Sequence, residues 1–375
     1  MSGRGKKKSV LHIGKFYPPH MGGIEVHLRD LVQWQVRDWD IQVVVANDGL
    51  RTVREQVDGA NLVRLGCAGT FHSMPICPNL PFFIRRVRTD LIHMHFPNPS
   101  AAFAYVVSGC KIPLVITHHS DTMGRSNLRR LSDPFVQAAM NRASRIIVTS
   151  RRYADTSLEL GKYLDKVDII PLGIEASKFE RPSDEIVEQL QKKYGPGFVI
   201  AVGRLVPFKG FDILIRAMQD VDSHLLLLGD GPLRERLEQT AREYSVTDRV
   251  TFTGQIDNSQ ILNYLAASKM LVMPSISRAE SFGIVQLEAM AAGIPVINTS
   301  IESGVVEVSL DGVTGLTVPP GQPAILANAM NRLLRDGELR LRLGQAAKAR
   351  VWAEFTIDQM VSRTASVYTQ VLLGG

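Results

Sequence analysis

The sequence holds little that would staple, anchor or strongly charge it. Its three cysteines, Cys67, Cys77 and Cys110, are odd in number with no close pair, so neither a disulfide framework nor a zinc site is indicated. No apolar run approaches the roughly 18 residues that a membrane-spanning helix needs. The first apolar stretch, Val10 to Ile13, is too short for a signal peptide and runs into Lys15 and Pro18-Pro19. Charge of one sign is scarce as well. The net charge is +6, and Arg4, Lys6, Lys7 and Lys8 supply four of those charges, leaving a nearly neutral body that argues against a nucleic-acid binder. No Gly-x-Gly-x-x-Gly follows either of the two strands that open a domain, which argues against a dinucleotide site.

What remains is the composition of an ordinary globular protein, 45% apolar and 21% charged, in 375 residues. That length exceeds what one core usually fills, so two domains are expected. Residues 1–9 read as a basic flexible tail, a plain leader or a contact for anionic lipid, where clustered cations contribute about 1 kcal/mol each. The expected location is the cytoplasm, with peripheral contact at the inner membrane face left open. Strand-like runs (Val10–Gly14, Ile41–Ala46, Leu91–His95, Leu114–Thr117, Arg145–Thr149, Val167–Ile170) alternate with helical segments, including Gly23–Arg37, Ser132–Asn141 and Ser150–Tyr163. The pattern restarts with Phe198–Val202, His224–Leu228, Val250–Thr253, Lys269–Met273 and Pro295–Asn298. Apolar strands without a polar face imply parallel sheets covered on both sides. The fold class is therefore α/β, two Rossmann-like doubly wound domains over residues 10–172 and 173–355, with a last helical segment over 356–375. Ligands in such sheets bind beyond the carboxyl ends of the strands, so two facing sheets imply a cleft between them.

The most informative stretch runs from Arg278 to Gly293, where Glu280 and Glu288 stand eight residues apart. It reads as a strand, a loop holding Pro274 and Glu280, and a helix opening near Ser281 and stopping at Gly293, with Glu288 two turns in. A helix start offers unpaired N–H groups to an anion, so Ser281, Phe282 and Gly283 make a phosphate seat with a carboxylate on each side. Hydroxyls at both ends of a phosphate describe a sugar nucleotide. Upstream, Phe198–Val202 runs into Gly203, Arg204 and Lys209. Cations at a strand's carboxyl end suit a diphosphate, because Arg bonds two oxygens at once and Lys adds a point charge.

With these residues in place the chain resembles the retaining glycosyltransferases of family 4, which have the two-Rossmann-domain GT-B fold. The matching pieces are Gly22-Gly23-Ile24-Glu25, His119-Ser120-Asp121, Val202-Gly203-Arg204-Leu205 with Lys209-Gly210, Gly229-Asp230-Gly231, and Glu280 and Glu288 around Ser281-Phe282-Gly283. They span most of the chain in the family's order. The resemblance implies that residues 357–373 form a helix crossing back to the first domain. It also implies that Gly22 and Gly23 lie by the donor phosphate and acceptor, that backbone at Gly229, Gly231 and Gly254 holds the base, and that Glu288 bonds the ribose hydroxyls.

On the residues alone, the glycine pair can bring backbone N–H groups close to an oxyanion or simply satisfy helix packing; Glu25 follows it. His118 and His119 close the strand Pro113–Thr117 at its carboxyl end, as a hydrogen-bonded structural pair or a reactive one. The spacing to Asp121 makes His119 the counterpart of the family's active-site histidine. His93 and His95 point to one face of their strand, and without a carboxylate partner they do not indicate metal. Phe96 and Asn98, at that strand's end, are expected to line the cleft or acceptor pocket. Gly229-Asp230-Gly231 and Gly254 end strands, where a plain turn and a base or ribose contact are both open. Asp38-Trp-Asp40 and Asp220-Val-Asp222 resemble a metal motif of another glycosyltransferase class, but both fall before strands, at the wrong end of a sheet. No metal and no cofactor is expected.

The expectation is a hexosyltransferase that keeps the anomeric configuration, acts without metal, and draws on a nucleotide diphosphate sugar and a glycan or polyprenyl-linked acceptor. Arg204 and Lys209 stabilise the leaving phosphate, Glu280 orients the sugar, and His119 contacts the sugar or the reacting region. The motifs look most like bacterial enzymes of O-chain or exopolysaccharide synthesis, with mannose or a related sugar from a GDP donor ahead of UDP-hexose. A non-catalytic sugar-nucleotide binder, an epimerase and a phosphorylase are the competing classes.

Overall fold

The computed structural model describes residues 7–20, 22–71, 74–121 and 127–374. Arg4 and Lys6 of the expected tail, and Met21 of the glycine loop, lie outside the described residues. Two compact units emerge: unit 1 is residues 1–172 with 357–375, and unit 2 is residues 173–356.

Unit 1 is built on a sheet of eight strands, β1 (Ser9–Ile13), β2 (Asp40–Ala46), β3 (Val53–Val57), β4 (Ala60–Leu65), β7 (Leu91–Phe96), β8 (Leu114–His118), β9 (Arg145–Val148) and β10 (Val167–Ile169), with a short ribbon of β5 (Thr70–Phe71) and β6 (Met74–Pro75) beside it. The order is β10-β9-β8-β7-β1-β2-β4-β3. All pairings are parallel except β3 with β4, so the sheet departs from the all-parallel expectation at one edge. Neither β3 nor β4 was read from the pattern, because Val53-Arg-Glu-Gln-Val57 is a mostly exposed edge with no apolar run. The helices are α1 (Gly23–Gln35), α2 (Leu80–Arg86), α3 (Pro99–Ser108), α4 (Asn127–Arg142) and α5 (Arg151–Thr156), the last ending earlier than its expected reach to Tyr163. Lys7 donates to the Val36 and Arg37 carbonyls at the end of α1 (2.8 and 2.7 Å), where a cation suits the helix dipole. Ser9 already belongs to β1, so the stretch expected as tail overlaps the fold.

Unit 2 holds six parallel strands, β11 (Val199–Val202), β12 (Leu225–Leu228), β13 (Val250–Gly254), β14 (Met270–Val272), β15 (Val296–Thr299) and β16 (Gly315–Val318), in the order β13-β12-β11-β14-β15-β16. Its helices are α6 (Asp184–Tyr194), α7 (Phe211–Ala217), α8 (Arg234–Glu243), α9 (Asn258–Ala267), α10 (Val285–Ala291), α11 (Val305–Val308), α12 (Pro323–Arg335) and α13 (Gly337–Glu354). The final helix, α14 (Ile357–Leu373), belongs to unit 1. Its stripe of Met360, Val367, Tyr368 and Val371 is buried with Leu28, Leu31 and Val32 of α1. Each such side chain contributes about 1.5–3 kcal/mol.

Both sheets reverse their strand order at the first strand of the unit: β1 lies between β2 and β7, and β11 between β12 and β14. The carboxyl ends at such a reversal are where open α/β sheets take ligands.

Candidate active site

In unit 2 the two loops that flank the reversal are fastened to each other. One leaves β11 through Gly203 and carries Arg204 and Lys209 to α7; the other leaves β14 and carries Pro274 to Ile284 into α10. Ile276 N–H donates to the Phe208 carbonyl at 2.9 Å. Across this seam Lys209 Nζ lies 2.5 Å from Glu280 Oε2, with side chains 15% and 10% exposed. Ser275 Oγ donates to the same oxygen at 3.3 Å, and the Ser275 carbonyl accepts from Thr299 Oγ1. Glu280 Oε1 has no protein partner among the described residues. Arg204 is exposed and likewise unpaired among them.

The floor beside this pair has no side chains. Gly203, Gly229 and Gly254 end β11, β12 and β13, and Gly229 N–H donates to the Gly254 carbonyl at 2.9 Å. A Cβ on Gly229 would collide with the Gly203 carbonyl, so any larger residue there pushes the strand ends apart. Gly231 packs as closely on Leu205, while Asp230 is exposed.

The helix after Glu280 begins later than its sequence suggests. α10 opens at Val285, four residues beyond Ser281, because Gly283 has φ +71, a left-handed conformation that a right-handed helix cannot contain. Glu288 therefore sits in the first turn of α10, not two turns in, and is half-buried. Ser281, Phe282 and Gly283 form the loop before it, and their N–H groups donate to no backbone acceptor among the described residues. Phe282 is buried edge-on to Phe355. This loop is held from beneath by residues the sequence did not single out. Gln286 donates to the Phe282 and Val305 carbonyls (3.1 and 3.3 Å) and accepts from Asn298 (3.0 Å). Gly304 N–H donates to the Ser281 carbonyl at 2.9 Å, which gives Ser303-Gly-Val305 a structural task. A buried amide among strand and helix residues was the available signal for Gln286 and Asn298.

In unit 1 the expected site residues separate. Asn98, 2% exposed, caps α3 by accepting from Ala101 N–H at 3.2 Å, and Phe96 is in the core. His118 turns to one side of the sheet, bonded to Tyr153 Oη (2.7 Å) and Glu159 Oε2 (3.1 Å), and Asp121 accepts from Tyr153, Ser157 and Leu158 there. His119 turns to the other side, where its Nε2 lies 3.3 Å from His95 Nδ1. Burial holds the His119 imidazole well below its ordinary pKa, with His27 and His118 adding to the effect. Gly22 precedes α1 in an extended conformation, and a side chain on it would strike the Glu25 carboxylate, which folds back over it. Gly23 opens α1 with open space around it. Asp38, Asp40, Asp220 and Asp222 are exposed at the amino ends of β2 and β12, away from the strand ends described above.

Residues 182–350 match the family described as glycosyl transferases group 1, and residues 21–178 match glycosyltransferase family 4. The chain belongs to the family 4 glycosyltransferases. A relative of this glycosyltransferase, the D-rhamnosyltransferase WbpZ of Pseudomonas aeruginosa, is 33% identical over 71% of this chain and 70% of its own. The O-antigen chain mannosyltransferase C of Escherichia coli is 29% identical over 76% of each. Among solved structures, sucrose-phosphate synthase from Thermosynechococcus elongatus superposes with a TM-score of 0.82 at 25% identity, covering 98% of this chain and all of that one. HepE of Anabaena, solved with UDP, gives 0.80 at 22% identity over 96% and 100% of the two chains, a likeness of fold. The glycosyltransferase fold thus carries both the Lys209–Glu280 pair and the buried His119.

Proposed function

We propose that this glycosyltransferase moves a hexose, mannose or a close relative, from a GDP-sugar to a hydroxyl of a glycan or polyprenyl-linked acceptor in surface polysaccharide synthesis, keeping the anomeric configuration. The observation that carries the reading is Glu280: one carboxylate oxygen is fixed by Lys209 and Ser275, and the other is left for the hydroxyls of a sugar. In this reading the acceptor oxygen attacks the anomeric carbon on the face the diphosphate leaves, the bond from that carbon to the β-phosphate oxygen breaks, and the acceptor's proton passes to the β-phosphate. Arg204 and Lys209 meet the charge that develops there, Gly203, Gly229, Gly231 and Gly254 seat the base and ribose with Glu288, and the N–H groups of Ser281 to Gly283 face the phosphates. His119 contacts the sugar, Gly22 and Gly23 lie by the phosphate, and Glu25 and Asp121 are on the acceptor side, while the buried Phe96, Asn98 and His118 support that side from within the fold. The rhamnosyl- and mannosyltransferase relatives support the choice of sugar.

Thermal unfolding with GDP-mannose, GDP, UDP-glucose and UDP tests this directly. A donor at 100 times its dissociation constant adds about 2.7 kcal/mol of stability, and GDP-mannose is expected to give the largest rise in Tm. Stabilisation by UDP-glucose alone overturns the donor assignment. No response to any of the four at millimolar concentration overturns the site.

A further inference from the structure

Five of the nine histidines, His12, His27, His93, His95 and His119, are buried side by side on one face of the unit 1 sheet. Four of them join a continuous chain of hydrogen bonds. His119 Nε2 meets His95 Nδ1 at 3.3 Å, His95 Nε2 meets His12 Nδ1 at 3.2 Å, and His12 Nε2 meets Gln35 Oε1 at 2.9 Å. Beyond the amide, Gln35 Nε2 donates to Tyr368 Oη at 3.2 Å, and that hydroxyl lies 2.5 Å from His93 Nδ1, whose Nε2 lies 2.6 Å from Thr117 Oγ1. His27 stands edge-on to His119 with its Nε2 unpartnered among the described residues and adds no bond to this chain.

Burial pushes His12 down to about 4 and holds His93, His95 and His119 well below the usual histidine range, so these imidazoles are neutral near pH 7. A neutral imidazole has one N–H and one lone pair, so imidazoles joined nitrogen to nitrogen must all point the same way. The direction is set where the chain meets a group that can only accept. Gln35 Oε1 is that group. His12 must donate from Nε2, its Nδ1 must accept from His95 Nε2–H, and His95 Nδ1 must accept from His119 Nε2–H.

We propose that Gln35, His12 and His95 are positioning residues that fix His119 as the Nε2–H tautomer, with its Nδ1 lone pair available to accept from a sugar hydroxyl. Tyr368 of α14 completes the device: its hydroxyl accepts from Gln35 Nε2, which leaves its own proton for His93 Nδ1, and His93 Nε2–H then donates to Thr117 Oγ1. Reversing the amide would reverse every tautomer in the chain. The part concerning the sugar rests on the proposed contact of His119 with the donor; the tautomer does not.

Long-range 1H–15N spectra of the full chain with 15N-labelled histidine read each tautomer at pH 7.5. The expected result is protonation at Nε2 alone in His12, His95 and His119, and loss of that single pattern at His119 in Gln35→Leu, with unchanged far-UV circular dichroism. Tyr368→Phe, which keeps the ring and removes only the hydroxyl, is expected to populate both tautomers of His119. An Nδ1–H or doubly protonated His119 in the unmodified protein overturns the proposal, as does an unaltered His119 pattern in both variants. Adding GDP-mannose separates the two levels: an Nε2–H His119 whose Nδ1 signal ignores saturating donor supports the positioning chain and overturns the sugar contact.

Discussion

At the residue scale the two cations of the β11 loop differ in what they leave behind when removed. Arg204 is exposed and unpaired among the described residues, so Arg204→Ala removes a charge without breaking a contact seen among them, and its proposed task at the leaving phosphate is what the variant reads. Turnover is expected to fall about 100-fold with Tm unchanged, as for loss of one charge-stabilising donor. Lys209→Ala also strips the cation from Glu280, whose side chain is 10% exposed, and is expected to cost about 1–3 kcal/mol of stability besides the activity. Steady-state kinetics and calorimetry on both variants check this. A folded Arg204→Ala with near-normal turnover sinks its role, and equal Tm in the two variants sinks the claim that Glu280 depends on Lys209. The placement of Arg204, Lys209 and Glu280 in the loops after β11 and β14 was legible in the sequence, because apolar composition announces the strands that lead into them, and Glu288 follows in the next helix. Ser275 and Gln286 were not, since what they do depends on partners that only the fold brings near.

At the element scale, α10 shows both how well and how badly helix ends read from sequence. Its C-terminus was legible: Gly293, φ +75, sends its N–H to the Met290 carbonyl and Ile294 returns to Ala289, the paired bonds by which a glycine stops a helix. Its N-terminus was misplaced because Gly283 does the same work at the other end, and a glycine within an apolar run looks like any small helical residue. The same geometry makes Gly283 fragile to substitution. A Cβ there would lie 2.6 Å from Met273 Cε and would strain a backbone at φ +71. Gly283→Ala is expected to cost about 1–3 kcal/mol and to weaken donor binding, because the loop whose N–H groups find no backbone acceptor among the described residues would have to shift. Met273→Ala in the same chain relieves the collision and not the backbone strain, so recovery should be partial. Urea unfolding of the single and double variants decides it; an undiminished midpoint in Gly283→Ala removes the argument. Strands β3 and β16 escaped the pattern for a different reason, being short edge strands of their sheets with little or no continuous apolar run.

At the scale of the whole molecule, the alternation of strands and helices made two α/β units legible, while the unequal distribution of buried histidine between them was not. Unit 1 gathers His12, His27, His93, His95 and His119 from three separate elements and the end of β8, and Tyr368, which joins them, is 333 residues from Gln35. Unit 2 has the single, half-buried His224. Burial is the first cause of the lowered pKa in all five, reaching about 4 for His12 and about 3 for His27. In the unfolded chain the same groups titrate near 6.5. Between those limits the unfolded state binds protons that the folded state refuses, so the stability present above pH 6.5 is lost as pH falls below it, by about 1.4 kcal/mol per pH unit for each histidine kept neutral. Five such groups on one sheet face make unit 1 the acid-labile unit. Calorimetry at pH 7.5, 6.5 and 5.5, with limited proteolysis to locate the first cuts, is expected to show a transition that moves steeply to lower temperature below pH 6.5 and cuts confined to unit 1. A Tm that is flat from pH 7.5 to 5.5, or cuts that begin in unit 2, would mean that the cluster accepts protons without unfolding and that its imidazoles are not held neutral by burial.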